Sequence, residues 1–408
     1  MPLLEAIRVP SDLGITPVVY PEVFKSSIGI DVIHDGNWIP EEFLRDKNEQ
    51  PITFEQIDAD YTRERDWGAC FVAERVAAAL GIESFLRVNI ARVLMDFGRF
   101  PGSTPKHLDH LHRFAINYPF SKRLSYRQKK HLLEQYYDRV SGEMEKLLEN
   151  KIIKIAIHTY DRLNESGTVR PPVSIITRSI GYQNESEMPA GLFDPLYPDI
   201  LGEFTADRVL RDRISLTLEK ANIPVAHNYP YCFPEGSLEV RYQVWSFFRF
   251  VKDMFQADRP ETVNNPSYEM VWEMLMDTNL RSSESEALRS YLHMFRTAPN
   301  GRREEFLDAE RAYEAIQVFV ERNDGAIVQA YRFSPSRPSS LGIEIRKDVV
   351  YELDPDGKPI RPRTQMIDHI AAVIAEAIGV YLSEDRSLST HPTELLERVD
   401  PWYFAPRT

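Results

Sequence analysis

Two histidines follow apolar, strand-like segments, and at these positions the sequence most clearly suggests chemistry. His34 comes directly after residues 27–33, and His158 ends the apolar run 151–157. A neutral imidazole is a common zinc ligand, and hydrolytic zinc sites use three protein ligands plus a water. One histidine at a strand end is more often structural. Two of them at the ends of neighbouring strands, with carboxylates nearby, leave a metal site and a structural role evenly balanced. No short zinc signature such as His-Glu-x-x-His is present.

Two acidic residues are candidates for the same site. Asp66 precedes the predicted helix 69–80, where it either caps the helix, worth ~1 kcal/mol, or binds a metal. Glu344 lies inside the apolar strand 341–345. An acid there is costly to bury unless it is paired with an arginine or is functional. As a general base it would contribute ~10²–10⁴ in rate. Asp35 either orients the neighbouring imidazole or forms the turn.

Two arginines and an aspartate share the segment 91–99. Arginine binds carboxylates through two parallel hydrogen bonds, so Arg92 and Arg99 are candidates for holding an acidic substrate. The alternative is an Arg–Asp pair that involves Asp96. We predict a β-like segment over 91–97 that bends or ends near Asp96. Three further histidines have helical spacing and are interpreted as an exposed face rather than a metal site: His107, His110 and His112.

Short β-branched segments alternate with helical ones along the chain. Predicted strands cover 27–33, 84–89, 91–97, 151–157, 173–177, 223–226 and 341–345. Predicted helices cover 69–80, 126–148, 206–221 and 366–382. This alternation predicts an α/β fold with a mostly parallel or mixed central sheet flanked by helices, as in phosphorylase-like and hydrolase-like folds. Ligands of such sheets gather beyond the carboxyl ends of the strands, where His34, His158 and Asn228 fall.

The length of 408 residues fits one enlarged α/β domain over 1–408. Helical periodicity dominates two stretches that do not belong to the strand–helix alternation. We therefore predict a helical addition at 104–150 and a helical insertion or cap at 240–330.

Composition and charge narrow the function classes. The net charge of −13 disfavours non-specific binding to nucleic acid or to an anionic membrane. Cys70 and Cys232 are too few for a disulfide framework or a thiolate zinc site. The N-terminus has no signal-peptide pattern, and no apolar stretch approaches the ~20 residues that span a bilayer. We expect a soluble, cytoplasmic protein whose partner is a small molecule, and we make no prediction of its oligomeric state.

The order of the motifs resembles the N-formylglutamate amidohydrolase family, which is similar in fold to zinc carboxypeptidases and aspartoacylases. Six segments carry the resemblance: 32–36 to a strand ending in Pro-His-Ser-Gly, 66–69 to a helix start Asp-Ile-Gly-Ala, 91–101 to Ser-Arg-x-x-x-Asp-x-Asn-Arg-x-x, 156–159 to Asp-x-His-Ser, 228–231 with Gly236 to Asn-x-Pro-Phe-x-Gly-Gly, and 342–345 to a late strand that carries Glu. The segments 104–150 and most of 240–330 have no counterpart.

The resemblance implies a zinc-dependent amidohydrolase, with Zn²⁺ or another divalent metal as cofactor. Its implied metal ligands are His34, Asp66 and His158, and an alignment gap would move the third ligand to Asp60 or Glu64. The remaining implied roles are Glu344 as the base that activates water, Arg92 and Arg99 as carboxylate binders, and Asn228 as a pocket residue.

Departures from the family pattern concern the substrate more than the metal. Asp35 replaces a serine, Gly98 replaces an asparagine, and the Gly-Gly pair is incomplete. Three hypotheses follow. The first is hydrolysis of a small carboxylate-bearing N-acyl or N-formyl amino acid such as N-formylglutamate. The second is the same fold acting on a larger peptide-like or biosynthetic amide. The third is a non-catalytic binding protein with a degenerate site.

Overall fold

A computed structural model gives the fold of the chain. The structure describes residues 1–99, 115–164, 166–179, 193–202, 204–234, 236–278, 283–294, 296–334 and 337–384. His107, His110 and His112 lie outside the described residues, so the expectation of an exposed histidine face remains a prediction.

A seven-stranded mixed sheet forms the centre of the fold, as the alternating segments predicted. Its strands are β1 Leu4–Arg8, β2 Ile28–Val32, β3 Ser84–Val88, β4 Ile153–Tyr160, β5 Val173–Ile176, β6 Val225–His227 and β7 Ser339–Arg346. Their spatial order is β1-β3-β2-β4-β7-β5-β6. The strands β3, β2, β4 and β7 run parallel to one another. The strand β1 pairs antiparallel with β3, β5 pairs antiparallel with β7, and β6 runs parallel to β5. A separate antiparallel pair is formed by β8 Tyr351–Leu353 and β9 Pro359–Pro362.

Helices flank the sheet on both faces. They are α1 Asp58–Glu64, α2 Ala69–Ala79, α3 Phe120–Arg123, α4 Tyr126–Leu132, α5 Asp138–Leu148, α6 Asp199–Gly202, α7 Arg208–Lys220, α8 Leu238–Asp258, α9 Pro266–Met276, α10 Ser283–Met294, α11 Arg303–Arg332, α12 Lys347–Val350 and α13 Thr364–Ser383. A π-helical turn over Leu133–Tyr137 joins α4 to α5, so the predicted helix 126–148 is one continuous rod. Together with the sheet, these helices confirm the α/β fold.

Side chains alternate between the two faces of the sheet along each strand, and one of these faces forms the main core. Apolar side chains from β2, β4 and β7 cover this face and pack against α2, α7 and α13. They are Ile28, Ile30, Val32, Ile153, Ile155, Ile157, Leu341, Ile343 and Ile345. Such central strands are apolar along their length because helices cover both faces of the sheet.

The opposite face of the same strands carries polar side chains. Lys154 and His158 lie on this face of β4, and Glu344 lies on it in β7. The helix α8 covers this face near the start of β4, where its Glu239 contacts Lys154. The helices α8 to α11 build a second apolar core around residues such as Phe247, and they occupy most of the segment 240–330.

Two strand boundaries differ from the sequence predictions. Residues 91–97 form turns with an isolated bridge between Met95 and Ile116 rather than a strand, because Asp96 turns inward to bind several partners. The strand β4 continues beyond His158 to Tyr160 because it pairs with β7 as far as Arg346. His158 therefore lies within the strand and not after it.

The helix α13 corrects one expectation from composition. It has 20 residues and an apolar 18-residue window with mean hydropathy 1.5, so by length and composition it is long enough to cross a membrane. Within the fold, 61% of that window is buried, and Ile370, Ile374 and Ile378 pack in the main core. Burial against the sheet accounts for its apolar composition.

Candidate metal centre

The predicted ligands His34, Asp66 and His158 converge at the carboxyl ends of the central strands. His34 follows β2, His158 lies near the end of β4, and the neighbouring β7 carries Glu344 in direct register with His158. Parallel strands end at the same edge of a sheet, about 4.8 Å apart. Asp66 enters from the segment before α2. All four side chains are buried, with residue exposures of 1–7%.

Three ligand atoms face one another at the centre of this cluster. The Nδ1 atoms of His34 and His158 are 3.1 Å apart. Oδ2 of Asp66 lies 2.8 Å from Nδ1 of His158 and 3.5 Å from Nδ1 of His34. Two ring nitrogens and one carboxylate oxygen therefore form a small triangle.

Asp96 fixes the orientation of the His34 ring from the other side. Its Oδ1 lies 2.7 Å from Nε2 of His34 and accepts a hydrogen bond of 2.9 Å from the backbone N–H of Gly98. A carboxylate on the second nitrogen sets the tautomer of a metal-binding imidazole and leaves Nδ1 to bind. A side chain at Gly98 would crowd Asp96, since its Cβ would lie 3.2 Å from Oδ1 of that residue.

Asp66 is held in place by backbone contacts rather than by a capping role. Its N–H donates to the carbonyl of His34, and the helix α2 begins three residues later after Gly68, which has φ +90°. The next residue, Trp67, accepts a hydrogen bond from Thr159 of β4 through its carbonyl. These links tie Asp66 to both histidine-bearing strands. The capping interpretation of Asp66 is therefore wrong.

Asp35 does not orient the imidazole beside it. Its carboxylate accepts a 2.8 Å hydrogen bond from Nε of Arg65 and a 3.1 Å hydrogen bond from the backbone N–H of Cys70, at the start of α2. It thereby fixes the helix start next to the turn after β2. Gly36 completes that turn, because a Cβ there would lie 2.4 Å from the carbonyl oxygen of Ile90.

The alternative ligands of the sequence analysis lie elsewhere. Asp60 pairs with the exposed Arg63 at 2.7 Å, and Glu64 lies 3.9 Å from Nε of Arg92 at the edge of the cluster. Asp66 is the acid that completes the triangle with His34 and His158.

Arg92 and Arg99 flank the cluster. Arg92 donates to Oδ1 of Asp66 and Oδ2 of Asp96, both at 3.1 Å. Arg99 lies 3.0 Å from Oδ2 of Asp96 through Nε and donates through Nη1 to Asn117 at 2.7 Å. The Arg–Asp pairing is therefore present around Asp96. Whether either arginine also binds a substrate carboxylate stays a prediction.

Glu344 has a partner that the sequence analysis did not single out. The hydroxyl of Tyr231, in the loop after β6, donates to Oε1 of Glu344. Burial raises the pKa of Glu344, and this effect outweighs the opposing charges of His158 and Arg92. A carboxyl with a raised pKa beside a cluster of polar groups is suited to general acid–base chemistry.

Asn228 serves the backbone at the end of β5. It adopts a left-handed conformation with φ 51°, and its Oδ1 accepts hydrogen bonds from the N–H groups of Thr177 and Arg178 at 2.8 and 2.9 Å. These contacts shape the loop that carries Tyr231. The implied role of Asn228 as a pocket residue stays a prediction.

Charge pairing sets the protonation of the cluster. Burial acts to raise the pKa of Asp66, but the Arg92 guanidinium and hydrogen bonds with His158 and His34 hold that pKa far below its usual range. Burial acts to lower the pKa of His158, but the hydrogen bond to Asp66 and the charge of Glu344 raise it to about 9. The arrangement therefore favours positive charge at its centre.

The donor set and its spacing fit a divalent cation. Zinc bonds to nitrogen and oxygen of ~2.0–2.2 Å in a tetrahedron place neighbouring ligand atoms about 3.3 Å apart. The three separations found here are 2.8, 3.1 and 3.5 Å. Two imidazoles, one carboxylate and a carboxylate behind one ring are also the chemistry expected of a catalytic zinc site.

Three contributing residues were not predicted in their present roles. Asp96 was interpreted only as a partner of arginine, Tyr231 only as part of a loop motif, and Asn117 not at all. For Asp96, the one available signal in the sequence was its position four residues after Arg92, which suggested only an Arg–Asp pair. The contact between Asp96 and His34 spans 62 positions and has no signature in the sequence.

Neither a scan against protein-family models nor a search of curated proteins finds a match for the chain. Solved structures do match. One is an N-formylglutamate amidohydrolase from Ralstonia eutropha, at 11% identity and TM-score 0.45, covering 87% of this chain and 94% of that one. Another is a gene product of Agrobacterium tumefaciens, at 14% identity and TM-score 0.41, covering 88% and 92%. The first carries the name of the family that the sequence motifs resemble.

Proposed function

We propose that the protein is a metal-dependent hydrolase of an amide bond in a small carboxylate-bearing N-acyl or N-formyl amino acid, such as N-formylglutamate. One observation carries the proposal. Nδ1 of His34, Nδ1 of His158 and Oδ2 of Asp66 surround one point, and the neighbouring strand β7 places Glu344 in register with His158. Its cofactor would be Zn²⁺ or another divalent metal, and its setting the cytoplasm.

The protein's own residues divide the chemistry between them. A divalent cation held by the three ligands would lower the pKa of a water towards ~7 and polarise the amide carbonyl. Glu344 would take the proton of the attacking water and pass it to the leaving nitrogen. A buried glutamate with a raised pKa is a better match for this exchange than an exposed one, since efficient acid–base groups have pKa values near the working pH.

The carboxylate of the substrate would be bound by arginine. Among the described residues, Arg99 uses Nε for Asp96 and Nη1 for Asn117. A guanidinium has five N–H donors, so these two contacts leave donors for a ligand. Arg92 is committed to Asp66 and Asp96 and contributes positive charge to the same side. We therefore assign the direct contact to Arg99 and the supporting charge to Arg92.

Elemental analysis and amide hydrolysis test the proposal together. The purified protein should contain about one divalent metal ion and should hydrolyse members of a panel of N-formyl amino acids, N-acyl amino acids and short peptides. Glu344→Gln should keep the metal and lose ~10²–10⁴ in kcat, the value of a general base. Glu352→Gln on β8, which breaks an ion pair with Arg361 away from the site, is the matched control and should keep full activity.

Three outcomes would contradict parts of the proposal. Full activity of metal-loaded Glu344→Gln would remove Glu344 as the base. A preference for peptides over N-acyl amino acids by orders of magnitude would favour the larger-substrate alternative. A protein that binds no metal, and whose ligand affinities do not respond to His34→Ala, would be a binding protein.

A further inference from the structure

The hydroxyl of Tyr231 donates a hydrogen bond to the catalytic candidate Glu344. The loop that carries Tyr231 is anchored both before and after this residue. Before it, Oδ1 of Asn228 accepts hydrogen bonds from the N–H groups of Thr177 and Arg178. After it, the N–H of Phe233 donates to the carbonyl of Arg178 at 2.8 Å. Both anchors therefore belong to the end of β5.

The anchored strand is a direct neighbour of the strand that carries Glu344. In the antiparallel pairing of β5 with β7, Ser174 lies opposite Glu344. A loop clamped to the end of β5 consequently has a fixed position relative to β7. The anchored backbone of the loop therefore fixes the position of Tyr231 relative to the carboxylate of Glu344.

We propose that Tyr231 is a positioning residue for Glu344, whose hydroxyl holds Oε1 so that Oε2 faces the attacking water. This inference rests on the proposed function. In the hydrolytic step an O–H bond of the water breaks, the proton goes to Oε2, and the electron pair left on oxygen forms the bond to the amide carbon. The carbonyl π electrons move to the carbonyl oxygen during this attack and return as the C–N bond breaks. The electron pair of the C–N bond goes to the nitrogen, which takes the proton from Oε2 and leaves as the amine.

The surroundings of the phenol fit this role. The residue is 42% exposed, whereas its hydroxyl is directed inward to Glu344. Glu344 lies in register with His158 of the ligand triangle, so the hydroxyl that contacts Glu344 lies beside the triangle. The loop motif that this segment resembles carries phenylalanine at the position of Tyr231. The hydroxyl is thus a feature of this chain that the resemblance does not supply.

Kinetics of Tyr231→Phe in two backgrounds provide the first test. The substitution keeps the ring and removes only the hydroxyl. We expect kcat to fall about tenfold, a part of the ~10²–10⁴ that a general base supplies, while KM and metal content stay unchanged. In the Glu344→Gln background the same substitution should cause no further loss. Tyr229→Phe removes another hydroxyl from the same loop and should leave kcat unchanged.

Unfolding of the same pair gives a readout that does not need activity. Tyr231→Phe should change the unfolding equilibrium constant about tenfold in the wild-type background, as expected for a hydrogen bond to a charged group. In the Glu344→Met background it should change it little. This cycle separates the two proposals, since a wild-type protein that hydrolyses nothing contradicts the proposed function while the cycle still reports the contact.

Two results would overturn the positioning role. An equal loss of kcat in both backgrounds would mean that the hydroxyl acts on the substrate directly rather than through Glu344. Wild-type kcat in Tyr231→Phe, or equal effects on unfolding with and without Glu344, would mean that the hydroxyl does not hold the carboxylate.

Discussion

Two buried clusters of charge lie along the same two strands, and they are built differently. The first is the metal-centre candidate, which uses His34 after β2 and His158 on β4. The second, which we call the lysine triad, consists of Asp31 on β2, Lys154 on β4 and Glu239 on α8. Along the chain, Asp31 lies three residues before His34, and Lys154 lies four residues before His158.

The lysine triad contains its own cation. Nζ of Lys154 lies 2.8 Å from Oδ2 of Asp31 and 2.7 Å from Oε1 of Glu239, and the three side chains are 0–2% exposed. An ammonium between two carboxylates offsets part of the cost of burying them. The triad also fixes α8 to the sheet. Its composition is suited to joining elements and not to exchanging a ligand.

At the candidate metal centre the cations stand outside the cluster. Arg92 and Arg99 lie behind the carboxylates of Asp66 and Asp96, whereas ring nitrogens and a carboxylate oxygen face one another at the centre. One shared proton can bridge only two of those three ligand atoms, whereas one divalent cation can bind all three. The comparison teaches that a cluster with its own ammonium has its charges already paired, whereas a cluster whose donor atoms face one another is suited to binding a metal ion.

The largest effect that this comparison predicts is on stability. Lys154→Met should lower the free energy of unfolding by about 3–5 kcal/mol, because it leaves two uncompensated carboxylates in the core. Urea denaturation followed by circular dichroism measures the loss. In the fraction that remains folded, the metal content should equal that of the wild type, since the triad supplies no ligand.

A matched variant removes all three charges together. With Asp31→Asn and Glu239→Gln added to Lys154→Met, most of the lost stability should return, because replacing a whole buried ionic group is often nearly neutral. If the single and triple variants were equally unstable, packing of the Lys154 side chain rather than its charge would be the reason. That result would remove the lysine triad as the electrostatic counterpart of the metal centre.

A smaller effect is predicted at the metal centre itself. Asp96→Asn should weaken metal binding about 10–100-fold, the usual cost of losing the partner behind a ligating histidine. The substitution keeps the shape of the side chain that contacts His34 at 2.7 Å. Competition with a chelator of known affinity measures the change. Asp258→Asn, at an exposed pair with Arg259, is the control and should bind as the wild type does.

A metal affinity of Asp96→Asn equal to that of the wild type would contradict the assigned role. The hydrogen bond to His34 would then serve only to keep the ring packed. Arg92 and Arg99 also contact Asp96, so a change in KM without a change in metal affinity would instead place Asp96 in substrate binding.

Strand prediction succeeded where a segment is buried on both faces. The strands β2, β4 and β7 are continuous apolar runs, and the turn or helix signals that bound them mark their ends to within a few residues. Residues 91–97 have a similar composition but fold into turns, because Asp96 must reach His34, Arg92 and Arg99. The edge strand β1 was not predicted, since it is only partly buried and its partner β3 lies about 80 residues away.

Half of the candidate site follows from the strands alone. His34 and His158 are identified because parallel strands end at one edge of a sheet, and Glu344 because an acid within an apolar strand is costly to bury. Asp66 came from the family resemblance, since its position before α2 by itself favoured a cap. Asp96 and Tyr231 act through contacts that span 62 and 113 positions. Contacts of this kind depend on how loops fold over the sheet, which no local pattern specifies.

The smallest predicted effect is a pH dependence of metal binding at the candidate metal centre. In the metal-free protein His158 has a pKa of about 9, above the unfolded value of about 6.5. The imidazolium must lose its proton to bind a metal, so the apparent affinity should rise about tenfold per pH unit between pH 7 and 8 and level off above 9.

Proton release during calorimetric titration measures the same equilibrium. About one proton per metal ion should leave His158 at pH 7 and about half a proton at pH 9, in buffers that differ in ionisation enthalpy.

Stability of the metal-free protein should change in the opposite direction. A raised folded-state pKa stabilises the fold fully below about pH 6.5, and this contribution is lost as the pH rises through about 9. A metal affinity that stays constant from pH 7 to 9 would mean that His158 is already neutral in the metal-free protein. Asp66 would then not stabilise the protonated imidazole of His158.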